Sequence, residues 1–236
     1  MQKTITVSNK GATLDTSRRN FLKLSGVGLV VAGLAVVGCR DDNMDMPMNQ
    51  NVFDLGKGDV GILNYAYALE QLEADFYTKV VNSFYSGISM VEKQLFTDIY
   101  NHEVIHRDFF KAAITAAGAM PTPKLEFKYD GVDFKSRDSI LATAKALEDT
   151  GVAAYNGAGK YITNLDYLVI AGKIVSVEAR HASAIRDLIS PGSGAFSGDD
   201  VVNANGLDVA KEPKDIVMAA GGFFKTPFTW KEQGIG

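Results

Sequence analysis

Two short segments constrain this chain more than any other feature: Glu103-Val104-Ile105-His106 and Glu178-Ala179-Arg180-His181. Each is a Glu-x-x-His. Residues three apart on a helix share a face, so each segment aims a carboxylate and an imidazole at one point. The chain has 3 histidines, and two of them sit in these motifs. With nine glutamates in 236 residues, a Glu falls three places before a given His roughly one time in 25 by chance. Two solvated helix faces with a satisfied core histidine are the alternative reading of the pair. Together the two can supply half the ligands of a two-metal site in a helical bundle.

The motifs close a repeat. Ala68-Leu69-Glu70 is followed by Tyr77, seven residues past the glutamate, and Ala146-Leu147-Glu148 by Tyr155, again seven past. Each unit reads Ala-Leu-Glu, Tyr, a turn, then Glu-x-x-His. The midpoint between Glu70 and Glu103 falls at Ser86-Gly87, and that between Glu148 and Glu178 at Thr163. Residues equidistant from the turn of an antiparallel helix hairpin lie at one height. Glu70 is therefore expected to face Glu103, and Glu148 to face Glu178. A duplicated hairpin packed on itself gathers four carboxylates and two imidazoles at one level. A carboxylate on a core-facing stripe is strongly unfavourable unless a cation or hydrogen bonds compensate, which is the physical reason to think of metal. For Glu70 taken singly, a position just off the stripe and facing water is the alternative.

Apolar periodicity predicts an all-α fold. The first helix runs from about Val60 to Phe84, with Leu63, Ala66, Leu69, Phe76, Tyr77 and Val80 at threes and fours. The second covers about Ser89 to Gly118 and stops before Pro121 and Pro123. A third spans about Ser136 to Asn156, and a fourth about Asn164 to Ile189, ahead of Pro191-Gly192. Between the second and third lies a long connection in which Leu125-Glu126-Phe127-Lys128-Tyr129 alternates as an extended segment would. At roughly 3.3 Å per residue, about 17 such residues run the length of a 25-residue helix. That crossover makes helices two and three parallel. Residues 58–190 form the bundle. The extension at 191–236 is glycine-rich with a short helix near Pro213 to Ala220, and packing over a bundle end is its default.

The order Glu, Glu-x-x-His, Glu, Glu-x-x-His on four successive helices resembles the ferritin-like di-metal carboxylate superfamily. More closely, Asn64-Tyr65-Ala66 with Leu69-Glu70-Gln71-Leu72-Glu73-Ala74-Asp75-Phe76-Tyr77, Glu148 through Gly157, and Glu178-Ala179-Arg180-His181-Ala182 are similar to the desiccation-related ferritin-like domain of bacteria and plants. The resemblance covers about residues 58 to 190. It implies a ferritin-like four-helix bundle, two hairpins joined by a long crossover. It also implies a ligand set. Glu70 and His106 would hold one metal terminally, Glu148 and His181 the other, with Glu103 and Glu178 bridging. Four carboxylates balance two divalent ions, and oxygen and nitrogen ligands with room for water suit two iron ions, or two manganese ions, better than zinc alone or copper. Oxidase, ferroxidase or peroxide-scavenging chemistry follows, with a small oxidant such as dioxygen or peroxide as partner. The alternatives are a metal-binding or desiccation-stress protein without turnover, and a structural bundle whose polar centre fixes helix register.

Tyr77 and Tyr155 are candidates for hydrogen-bonding a ligand carboxylate across the bundle, and equally for core tyrosines with other partners. Glu73, one turn from Glu70, is a reserve ligand. Glu70 is preferred because its repeat equivalent is Glu148, whereas that of Glu73 is Gly151. His102 is rotated about 100° from Glu103 and is expected to face outward. Asp149 reads as a surface residue.

Ser17-Arg18-Arg19-Asn20-Phe21-Leu22-Lys23 is a twin-arginine export motif, followed by the apolar run Leu24 to Gly38. That run is short for a membrane span and ends in Val36-Val37-Gly38-Cys39, a lipoprotein-type cleavage site. Residues 1–38 read as a signal peptide and Cys39 as the lipidated first residue of the mature chain. A single membrane anchor or an ordinary cleaved signal is the alternative. Cys39 is the chain's 1 cysteine, so no internal disulfide can form. Residues 39–57 read as a polar tether, with soft-metal capture by Met44, Met46 and Met48 as the other reading. The expected destination is the cell envelope, periplasm or outer membrane, with the lipid as membrane partner. A homodimer is compatible with all of this. Residues 1–38 hold five basic residues and one acidic, which leaves 19 basic against 27 acidic in the remainder, a net charge of −8. That balance offers no basic patch for phosphates and argues against nucleic acid as a partner.

Overall fold

Local start and stop signals account for the helices of the computed structural model, which describes residues 52–230. The signal peptide, Cys39 and the three methionines after it lie outside the described residues. The bundle consists of α1 (Gly58–Asn82), α2 (Met90–Ala116), α3 (Arg137–Ala158) and α4 (Leu165–Ile189), and α5 (Pro213–Ala220) follows in the extension. α2 opens on a capping box, in which Ser89 Oγ accepts from Glu92 N at 3.1 Å and Glu92 Oε2 accepts from Ser89 N at 3.4 Å. It closes at Gly118, which has a left-handed φ of 73°. There Ala119 N donates to Ile114 O at 3.1 Å and Gly118 N to Thr115 O at 3.0 Å, the paired bonds that end a helix at a glycine. Asn164 caps α4 through Oδ1, which accepts from Asp166 N and Tyr167 N. The α1–α2 turn contains Gly87, at φ 79°.

α1 departs from the one-sided stripe. Every residue from Gly61 to Ala74 is buried, so this helix is the axis of the structure rather than part of its wall. The crossover covers one of its flanks. Asn64 Oδ1 accepts from Thr122 N at 2.7 Å, and Asn64 Nδ2 donates to Leu55 O at 3.1 Å. Gln71 Nε2 donates to Pro123 O at 3.2 Å, and Gln71 Oε1 accepts from Leu125 N at 3.0 Å. Backbone laid against a buried helix needs such partners, and these two amides provide them. The alternating segment at 125–129 forms no strand. It makes one bridge, Phe127 with Phe224, and Lys128 N donates to Phe223 O at 2.8 Å.

Tyr77 and Glu70 of α1 meet Glu148 and Tyr155 of α3 in that order, so α1 and α3 are antiparallel. The short hairpin turn makes α1 and α2 antiparallel too, which leaves α2 and α3 parallel, as a long crossover requires. An ion pair fastens this arrangement: Arg137 Nε donates to Glu92 Oε1 at 2.7 Å, and Arg137 Nη2 to Leu188 O at 3.0 Å. The starts of α2 and α3 are thereby tied to the end of α4.

Two boundaries differ from the sequence reading. The extension lies along α3, not merely over a bundle end: Lys211 N donates to Ala153 O at 3.1 Å, Asn156 Nδ2 to Val209 O at 3.1 Å, and Ile216 of α5 is fully buried. The tether ends earlier than residue 57. Phe53–Asp54 (β1) pairs in parallel with Phe228–Thr229 (β2), and Leu55 is 1% exposed. Leu55 belongs to the same core as Phe76 and Ile216, with Phe53 and Phe228 packed against it, where burial rewards it. Among the described residues, no helix is long and apolar enough to cross a membrane.

Candidate metal centre

All six acidic and imidazole residues singled out from the repeat converge at the middle of the bundle. Glu70, Glu103, Glu148 and Glu178 are each 0% exposed, His106 is 9% and His181 5%. Ligand atoms of Glu70, Glu103, His106 and Glu178 all lie within 4.8 Å of one another, and so do those of Glu103, Glu148, Glu178 and His181. The two clusters share Glu103 and Glu178. His106 Nδ1 stands 2.8 Å from Glu178 Oε1, 3.5 Å from Glu103 Oε2 and 3.6 Å from Glu70 Oε2. His181 Nδ1 stands 2.8 Å from Glu103 Oε1, 3.4 Å from Glu178 Oε2 and 3.5 Å from Glu148 Oε2.

The hydrogen-bond pattern separates two kinds of carboxylate. Both oxygens of Glu103 and both of Glu178 are buried without a hydrogen-bond partner. Glu70 and Glu148 each leave only Oε2 unpartnered, because the other oxygen receives a phenol. Tyr77 Oη donates to Glu148 Oε1 at 2.5 Å, and Tyr155 Oη donates to Glu70 Oε1. Both imidazole Nδ1 atoms are likewise unpartnered: they approach the carboxylates without the angle that a hydrogen bond requires. Unsatisfied buried polar atoms are rare and costly. Those of the four glutamates and two histidines gather at two places, and the donor set fits two cations: two carboxylates with both oxygens free, two with one free, and one imidazole nitrogen for each place.

Burial and the two histidines set protonation at the centre. Burial, then the charge of Glu178, pushes Glu103 well above the usual carboxylate range, against the pull of His106 and His181. Burial raises Glu148 to about 6, with His181 opposing. Glu178 is the exception: burial would raise it, but contacts to both histidines outweigh that and hold it at about 2. Burial works against the charged form of His106, yet Glu103, Glu178 and Glu70 raise it to about 12. Without a cation, Glu103 and His106 thus favour their protonated forms, the forms a cation would displace.

Residues around the centre refine the sequence reading. Glu73 is buried but belongs to neither cluster. Its Oε1 lies 2.9 Å from where a β-carbon on Gly151 would stand. The two positions are repeat equivalents that face each other across the bundle, and the space holds one carboxylate. Burial, then the charges of Glu103 and Glu178, pushes Glu73 well above its usual range. His102 is exposed, as its rotation implies, but is not idle: its Nδ1 lies 2.9 Å from His181 Nε2 and the rings stack at 8°. A partner on the far nitrogen fixes a histidine's tautomer and leaves the near one free to ligate. Asp149 is no plain surface residue. Arg186 Nε and Nη2 donate to its two oxygens at 2.8 Å each, and Arg186 Nη2 reaches Asp200 Oδ2 at 2.8 Å, which ties α3 and α4 to the extension. Both contacts join residues far apart in the chain, and no local pattern in the sequence signals either.

An all-α bundle of two hairpins around buried glutamates and histidines that can hold metal ions defines a ferritin-like protein. The family model for the ferritin-like domain matches residues 58–191, and the chain belongs to that family. No curated protein matches it.

Proposed function

We propose that this is an exported, lipid-anchored ferritin-like protein whose bundle holds a di-iron or di-manganese centre for redox or metal-handling chemistry in envelope stress protection. One observation carries the reading: the unpartnered oxygens of Glu103 and Glu178 come in pairs, whereas those of Glu70 and Glu148 come singly. Such a pattern would let two carboxylates serve both ions and two serve one ion each. Glu70 and His106 would serve one ion, Glu148 and His181 the other, and Glu103 and Glu178 both. When bound, such a pair supplies electrons to a small oxidant and Lewis acidity to whatever it ligates.

The protein's own residues do the rest. Tyr77 and Tyr155 hold Glu148 and Glu70 by their outer oxygens and turn the other oxygen inward. His102 holds His181 from behind. The burial of all four glutamates keeps bulk water and bulky organic molecules out, which suits dioxygen or peroxide as the oxidant. Export and anchoring are supported by the twin-arginine motif and by Cys39 at the end of the apolar run.

Metal analysis of the full chain, purified without added metal and then given ferrous or manganous ion, tests the reading. About two ions per chain are expected, lost in the Glu103→Ala, Glu178→Ala double variant. Consumption of dioxygen or peroxide by the loaded protein would mark an enzyme. A filled, inert centre would mark a metal-holding protein, and no stoichiometric metal under either condition would sink the proposal.

A further inference from the structure

Toward one end of the bundle lies a cavity of ≈ 30 Å³ that the carboxylate centre does not use. All four helices wall it: Ile62 and Ala66 from α1, Phe110 from α2, Tyr155 and Ala158 from α3, Ile170 from α4. The wall touches the centre's own residues at three points. Ala66 and Phe110 stand one helical turn from Glu70 and His106 respectively. Tyr155 belongs to both sites: its ring packs against Phe110 with centroids 6.2 Å apart, while its hydroxyl donates to Glu70. Tyr65 also lines the cavity, and its buried hydroxyl has no hydrogen-bond partner.

We propose that this cavity is a docking site for an apolar diatomic gas, dioxygen, beside the carboxylate centre. The inference rests on the redox reading above and narrows its oxidant to one of the two candidates. Size is the first argument. A cavity needs about 10–15 Å³ on this measure to admit one water, so this one takes a molecule of two heavy atoms and is far too small for an acyl chain or an organic substrate. Polarity is the second. The accessible wall is hydrocarbon and aromatic carbon, and the Tyr65 hydroxyl, itself buried, does not open onto it, so peroxide or water inside would forgo hydrogen bonds, at a cost of roughly 2–7 kcal/mol per stranded hydroxyl. Dioxygen has no donors and forfeits nothing. Apolar cavities stay dry and take up xenon. Position is the third: Tyr155 lines the cavity and donates its hydroxyl to Glu70.

Xenon is the probe. The full-length, metal-free chain is followed by methyl NMR under increasing xenon pressure. Saturable shifts are expected for Ile62, Ala66, Ala158 and Ile170, and the space-filling Ala158→Leu variant should abolish them. Ala66→Leu is the second filling variant should the first not fold, as judged by circular dichroism. No saturable shift, or shifts confined to methyls elsewhere, would overturn the proposal. In the iron-loaded protein the filling variant should slow oxidation by dioxygen several-fold and leave oxidation by hydrogen peroxide unchanged. Equal slowing of both would also overturn it. Failure to load metal would instead sink the redox reading, and the xenon result on the metal-free chain would still decide whether the cavity takes an apolar gas.

Discussion

Tyr77 on α1 donates its hydroxyl to Glu148 on α3 at 2.5 Å, and Tyr155 on α3 returns the bond to Glu70 on α1. The exchange is the structural expression of the internal repeat. Burial and the partner carboxylates push both phenols above their ordinary pKa, so each remains a donor at any physiological pH.

Replacing either tyrosine by phenylalanine leaves a fully buried carboxylate oxygen without its donor. The expected cost is about 1–3 kcal/mol of stability in the metal-free protein, measurable by denaturant unfolding. Under the proposed reading, each change should also weaken metal binding by ~10–100-fold. Tyr77→Phe should affect the Glu148–His181 side, and Tyr155→Phe the Glu70–His106 side. Equal affinity in wild type and both variants would mean that the phenols only fill the core.

The centre was legible because its signals are local. Helical period, the seven-residue step from Glu to Tyr, and hairpin symmetry are all properties of short segments, and they placed Glu70, Glu103, Glu148 and Glu178 at one height. What stayed hidden depends on distant chain. Asn64 and Gln71 look like ordinary polar interruptions of a helix, and their partners at Thr122 and Leu125 lie 58 and 54 residues away. The contact between His102 and His181 spans 79 positions. The repeat did hint at Glu73, since its equivalent is Gly151, but only packing explains that asymmetry: two carboxylates would not fit where one already meets the opposite backbone.

Gly157 should tolerate no side chain. A β-carbon there would lie 1.7 Å from the carbonyl oxygen of Lys211, which is backbone and cannot swing aside. Gly157→Ala is expected to push the extension off α3, breaking the Lys211 to Ala153 and Asn156 to Val209 hydrogen bonds. A loss of ~1–3 kcal/mol is expected, together with faster proteolysis near residues 203–212. Unchanged proteolysis would mean that the extension does not depend on this close approach.

Glu92 should make stability fall in acid. Burial would raise its pKa, but hydrogen bonds from Tyr85, Arg137 and the Ser89 backbone prevail and lower it. A carboxylate held below its unfolded value stabilises the fold fully above that value, near ~4.3, and loses the contribution as pH falls through the folded value. Glu92→Gln should therefore cost up to about 1 kcal/mol near neutrality, since Arg137 is part-exposed and screened. The difference in Tm between wild type and variant should shrink as pH falls below ~4. A difference that persists undiminished in acid would assign the effect to packing instead of charge.

Proton competition should govern loading of the centre. Glu148 at about 6 and Glu103 well above the usual range both hold protons more tightly folded than unfolded. In the metal-free protein Glu148 therefore favours the fold below its unfolded pKa, and that contribution disappears as pH rises through about 6. A cation needs the same oxygens bare, so binding must expel these protons, and apparent affinity should fall steeply as pH drops below about 6. Calorimetric titrations with manganous ion in buffers of differing ionisation enthalpy should reveal proton release on binding. Glu148→Gln, which carries no titrating proton, should release fewer. Binding with no proton release, equally tight at pH 5 and pH 8, would show that the ions do not displace the protons of this cluster and so do not lie among these carboxylates.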